Sequence, residues 1–178
     1  MKKKNEIPVI LNVFTEEDGI ISIDLAACKL TGQGWIDRFK NKGIDLGPKV
    51  EKILLSKMFV PTDNVYRLVI IRGSKFHYGE RTISVVREYA YSNGYFKATL
   101  EVACLLRDLI SDEKAKEFFL HALVVVSTHA GKEFTDVLGF DVDEKANSLS
   151  TYCVKEVLRW RHSTGFVFSK KKVIKHKQ

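Results

Sequence analysis

Residues 122–127 read Ala-Leu-Val-Val-Val-Ser. Three consecutive β-branched valines favour a buried strand, because such side chains pack well on a pleated surface and lose rotamer freedom in a helix. Leu120, Leu123 and Val124 also fit one helical face, and on that alternative 112–130 becomes a single helix in an all-α protein. The valine run decides for the strand and so for a mixed fold. Upstream, Val65-Tyr66-Arg67-Leu68-Val69-Ile70-Ile71 is the clearest strand of the chain.

Between these two strands the spacing predicts helices. One lies near 80–92, with Ile83, Val86 and Ala90 on one face and Asn93-Gly94 as its stop. A second lies near 99–110, with Leu100, Ala103, Cys104 and Leu106 inward. Ser111-Asp112-Glu113 caps a third, with Ala115, Phe118, Phe119 and Ala122 inward. If strands 65–71 and 122–127 are parallel, these helices form their crossover.

Toward the amino terminus, 7–14 and 20–25 read as a hairpin around Thr15-Glu16-Glu17-Asp18-Gly19. A short helix over 34–41 carries Trp35 and Phe39, and Pro48 opens another, from about 49 to 58, with Val50, Ile53, Leu54 and Met58 on its face. Toward the carboxyl terminus, 132–147 reads as a polar loop. A last helix is expected from Ser148, with Leu149, Cys153, Val157 and Trp160 as its apolar stripe, ended by Gly165 before a short strand, 166–168. The expected fold is α+β or α/β. It has a small mixed sheet of about four to five strands (7–14, 20–25, 65–71, 122–127, 166–168) packed with about four helices.

Of 178 residues, 45% are hydrophobic and 29% charged, the balance of a globular chain rather than a disordered one. The length suits one domain, expected over 7–169. The net charge is +7, but lysines 2–4 together with lysines 170, 171, 172, 175 and 177 supply eight positive charges, so residues 5–169 sum to −1. The basicity belongs to two tails, 1–6 and 170–178, which are expected to be solvated and flexible.

Lys2–Lys4 with the apolar Ile7–Leu11, and Leu25-Ala26-Ala27-Cys28, imitate an export signal and a lipoprotein cleavage site. Glu16, Glu17, Asp18 and Asp24 interrupt the apolar run such a signal needs. No stretch approaches the ~18 apolar residues of a membrane span. Three scattered cysteines, Cys28, Cys104 and Cys153, lack metal or redox spacing. Cys104 and Cys153 lie in apolar stretches and are expected to be buried. A cytoplasmic protein with reduced thiols, no cofactor and no membrane partner is expected.

Two places can carry chemistry. If the two strands are parallel, their carboxyl ends share a sheet edge, where open α/β sheets bind ligands. That edge would gather Arg72, Ser74 and Lys75 with Ser127, Thr128 and His129, a set suited to a phosphate. Neither loop is a phosphate-binding P-loop or a nucleophile elbow. The second place is Arg159-Trp160-Arg161-His162 followed by Lys170, Lys171, Lys172 and Lys175, cations interleaved with aromatics as on single-strand-binding surfaces. Here Gly165-Phe166-Val167-Phe168 shares part of the RNA-recognition segment. It departs from that pattern at Thr164 and Val167 and in the missing trailing aromatic.

Asp141-x-Asp143-Glu144 lacks calcium-loop spacing, and the five histidines lack zinc spacing, so no metal is expected. The leading expectation is a non-enzymatic binding or regulatory module that touches nucleic acid or an acidic protein through its basic carboxyl-terminal segment. The alternative is a small enzyme acting on a phosphate-bearing substrate at loops 72–75 and 127–131.

Overall fold

The computed structural model describes residues 8–11, 15–127, 136–142, 147–154 and 158–170. In chain order its elements are β1 (Val9–Ile10), β2 (Thr15–Glu17), β3 (Ile20–Ala26), α1 (Gly32–Asn41), β4 (Asp45–Leu46), α2 (Pro48–Leu54), β5 (Val65–Arg72), α3 (Ile83–Ser92), α4 (Leu100–Leu109), α5 (Asp112–Glu117), β6 (Ala122–Val125), β7 (Asp136–Asp141), β8 (Ser148–Cys153) and β9 (Thr164–Ser169). The fold is mixed α/β, with five helices against one nine-stranded sheet among the described residues.

The sheet runs β1-β3-β5-β9-β6-β7-β8-β4, and β2 also pairs with β3. Asp18 and Gly19 take φ of 50° and 70° and close a two-residue turn between β2 and β3. Positive φ at both central positions gives the turn a twist that matches the flanking strands, which is why Asp-Gly serves there. Along β3, side chains alternate strictly: Ile21, Ile23 and Leu25 are buried and their neighbours half-buried. Thr31, Thr82 and Ser111 cap α1, α3 and α5, each accepting a backbone N–H with its hydroxyl oxygen.

Each face of the sheet has its own core. One packs Trp35, Phe39, Val50 and Leu54 of α1 and α2, with Leu105 and Leu106 of α4, against Leu68, Leu123 and Val167. The other packs Ile83, Val86 and Ala90 of α3 against Val69, Ile71, Phe166 and Phe168, with Tyr152 and Trp160 at its border. Buried charges tie α4 to its surroundings. The Asp108 carboxylate accepts two bonds from Arg38, at 2.7 and 2.8 Å, and pairs with Lys42 at 2.6 Å. Glu101 accepts from the Thr62 N–H at 3.3 Å, the Thr62 hydroxyl at 2.9 Å and the Tyr66 hydroxyl at 2.8 Å. The Arg107 guanidinium donates to Asp112 and Asn147 and lies over the Phe140 ring.

The strands expected at 65–71 and 122–127 form as β5 and β6, with β6 ending at Val125, and 112–130 is not one helix. The sheet is larger than four to five strands for two reasons. Val137, Leu138 and Phe140, expected in a polar loop, are buried in β7, whose acidic ends Asp136 and Asp141 disguise a short apolar strand. Residues 148–153, expected to begin the last helix, are β8. Leu149 enters one core and Tyr152 borders the other, so the true period is two; the helical spacing of Leu149 and Cys153 was coincidence. Cys153 is accordingly exposed, whereas Cys28 and Cys104 are buried. Phe119, expected to face inward, ends α5 in a turn with φ of 54° and is 74% exposed.

Candidate functional site

The structure does not bring Arg72 and Ser127 of the first expected site together. β9 lies between β5 and β6, antiparallel to β5 and parallel to β6, so β5 and β6 run in opposite directions. Arg72 pairs with Gly165, which pairs with Leu123, putting Arg72 level with the start of β6. Ser127 follows the opposite end of β6 and is 4% exposed. His129 lies outside the described residues. The cations of the 72–75 loop are also already compensated by the β2–β3 hairpin: Arg72 pairs with Glu16 at 2.8 Å and Lys75 with Asp18 at 2.7 Å.

What the 72–75 loop does touch is the other expected site. A Cβ on Gly73 would lie 2.4 Å from the carbonyl oxygen of Arg161, so the two backbones are in direct contact. Arg81 links them further: its Nε donates to the carbonyls of Gly73 and Phe76, and its own carbonyl accepts the Trp160 N–H at 2.9 Å. Segment 158–161, expected to be helical, is an irregular stretch pinned to the sheet end by these bonds.

Arg159, Trp160 and Arg161 line a cleft of about 530 Å³ with His121, Ala122, Asp141, Val142, Tyr152 and Thr164. The walls come from one sheet end, because Ala122 pairs with Asp141 on one side and Thr164 on the other. The Trp160 ring meets Tyr152 and Phe166 edge-on, each at 5.8 Å between centroids. Its two flanking arginines are exposed while Trp160 itself is half-buried. Gly139 makes room for Tyr152: a Cβ there would lie 3.0 Å from Tyr152 Cε2, so the ring crosses β7 where no side chain stands. The Tyr152 hydroxyl is buried close to the Asp141 carboxylate. Burial, and next the charge of nearby Asp141, hold its proton well above the usual phenol range, so it remains a donor.

Compared with known protein families, curated proteins and solved structures, the chain matches none. The cleft is therefore understood from its own chemistry: a tryptophan platform, two guanidinium groups, an imidazole, a carboxylate and the phenol beside it. A volume near 530 Å³ falls within the roughly 300–1,000 Å³ typical of small-molecule pockets.

Arg159, Trp160 and Arg161 thus share one site, but Lys170 does not join them. It lies past the far end of β9, where its N–H donates to the Arg67 carbonyl. Six strand residues separate the two ends, about 20 Å at ~3.3 Å per residue. Lys171, Lys172 and Lys175 lie outside the described residues, as do Asp143 and Glu144. Among the described residues no group of three or more His, Cys, Asp or Glu side chains is placed to hold a metal ion, and no helix is long and apolar enough to cross a membrane. Reasoning from sequence missed His121, Tyr152 and Thr164 and took Asp141 for part of a solvated loop. No local motif marks these four; only the pairing of β6, β7, β8 and β9 unites them.

Proposed function

We propose that this chain is a non-enzymatic binding module that holds nucleic acid at the cleft of Arg159, Trp160 and Arg161. The observation that carries the reading is the placement of two exposed arginines on either side of a half-buried tryptophan at one cleft. Guanidinium groups contact phosphates, and an indole offers a base a stacking surface. Because residues 5–169 sum to −1, there is no broad positive field, and the attraction is local to this cleft and to the lysines beyond residue 169.

The test is fluorescence anisotropy of labelled single-stranded RNA and duplex DNA over a salt series. Log affinity should fall linearly with log salt, and each phosphate contact adds a slope of about −0.7 to −0.9. Replacing Arg159 and Arg161 together by alanine should flatten the slope by roughly 1.4–1.8 on the same rule. Deleting 171–178 should flatten it without abolishing single-strand binding. Absence of binding to either polymer at low salt overturns the reading, and capture of an acidic protein through the same arginines would replace it.

The enzyme reading, a phosphate-bearing substrate at loops 72–75 and 127–131, has less support. Arg72 and Lys75 are engaged by carboxylates, and Ser127 lies at the other end of β6.

A further inference from the structure

Resting on the nucleic-acid reading of the same cleft, we infer that it seats one unstacked, amino-bearing base of a single strand, with Asp141 and Tyr152 reading the base edge and Arg159 and Arg161 on the flanking phosphates.

The argument starts from a mismatch. A site built only for phosphate has donors and cations on all sides. This cleft includes the exposed Asp141 carboxylate, which repels a phosphate placed beside it and can only accept hydrogen bonds. The complementary group is a neutral heterocycle with N–H donors. Tyr152 sets the second condition. Its buried hydroxyl keeps its proton beside the Asp141 carboxylate, so the pair presents a donor and an acceptor side by side to a ligand edge. A ring nitrogen or carbonyl oxygen of the ligand would meet the donor. Cytosine, guanine and adenine each present an amino donor beside such an acceptor. Uracil puts a carbonyl oxygen where cytosine has its amino group, and so turns an acceptor toward Asp141.

Trp160 completes the seat, because a base that has left its stack recovers contact on an aromatic face. In a duplex the bases remain stacked and paired, so a concave cleft favours single strands. The phosphates on either side of the seated base are then left for Arg159 and Arg161, which are exposed.

Cytosine and uracil are alike in size and differ along one edge, the 4-amino group and bare N3 of cytosine against the 4-oxo group and N3–H of uracil, so CMP and UMP are the probes, with ribose 5-phosphate as the version without a base. Trp35 is fully buried in the core, which leaves Trp160 as the tryptophan whose fluorescence a cleft ligand quenches. CMP should quench and bind about tenfold tighter than ribose 5-phosphate, the fold-change that corresponds to stacking one base. It should also bind several-fold tighter than UMP. Asp141→Asn, an exposed position whose amide can donate to a carbonyl, should erase or reverse the preference while leaving the melting temperature unchanged.

If ribose 5-phosphate binds as tightly as CMP, or CMP and UMP bind alike, the base seat is wrong although the polymers still bind. The same conclusion follows if the polymers bind and no nucleotide does. If neither polymer binds, the nucleic-acid reading falls and the seat falls with it.

Discussion

Gly73 and Arg161 touch backbone to backbone, with only 2.4 Å between the carbonyl oxygen of Arg161 and the position a Gly73 Cβ would take. That contact sets the height of the Arg159–Arg161 segment above the sheet, because it is made by rigid main chain on both sides. Gly73→Ala should therefore push the segment outward. Overpacking of this kind costs about 1–3 kcal/mol, and chemical denaturation would measure it. Backbone amide shifts in an NMR spectrum should concentrate at 160–163 and 72–76. A variant as stable as the parent, with shifts confined to its own loop, would show that the contact yields freely.

The three thiols should separate cleanly under alkylation. Cys28 and Cys104 are buried, and burial raises both thiols above the ordinary range, so neither presents an accessible thiolate. Cys153 is exposed at the end of β8. Iodoacetamide applied to the native protein and read by peptide mass spectrometry should label Cys153 first and the other two only after unfolding. Equal labelling of Cys104 would mean that α4 opens.

Arg38 and Lys42 both approach Asp108, yet they should not matter equally. The Asp108 side chain is 1% exposed and Arg38 holds it with two parallel bonds, while Lys42 is 42% exposed. Removing Arg38 leaves a buried carboxylate with only a solvated ammonium for company. Breaking such a pair costs about 3–5 kcal/mol, with the lower end expected here because Lys42 remains. Lys42→Ala should cost under about 1 kcal/mol, as exposed pairs do. Urea unfolding of the two variants decides the order, and equal losses would contradict it.

Glu101 gives stability a pH dependence of definite sign. Burial pushes its carboxyl above the ordinary range, and the bonds from Tyr66 and Thr62 offset only part of that. The folded state therefore takes up this proton more readily than the unfolded state. The contribution is fully present below the unfolded pKa and is lost as pH rises through the raised folded one. Relative to Glu101→Gln, the parent should gain melting temperature as pH falls from 7 toward 4.5, the ordinary value from which the shift is counted. A difference that is flat or of opposite sign would place the charged form in the more favourable environment.

Much of this architecture was legible where local chemistry and tertiary environment agree. Val124 and Val125 of the valine run became strand, Ser111 caps a helix, and Asp18-Gly19 turns a hairpin. The region from 136 to 161 was not legible. β7 has polar residues at both ends, and β8 carries a helical spacing by accident, so neither period stood out. The candidate site fell into the same gap. Arg159 and Arg161 could be seen as exposed cations beside an aromatic, and Phe166 and Phe168 as core, because composition alone suggests both. Asp141, Tyr152 and Thr164 reach the cleft only through strand pairing, which no local pattern encodes. The expected meeting of Arg72 with Ser127 failed for a related reason: it assumed that β5 and β6 were parallel, whereas β9 enters between them.

That insertion bears on how the molecule is made. β9 is translated after every other strand described here, yet it joins β5 on one side to β6 on the other. On the ribosome, β1–β3–β5 and β6–β7–β8 emerge as two incomplete sheets, each with an open inner edge that attracts stray strands. Vectorial synthesis thus withholds the keystone until last, and the long-range pairing of β5 with β9 makes closure slow relative to helix formation. The nascent chain passes through an interval in which its two halves meet in the sheet through the short β4–β8 pairing and are most exposed to chaperones.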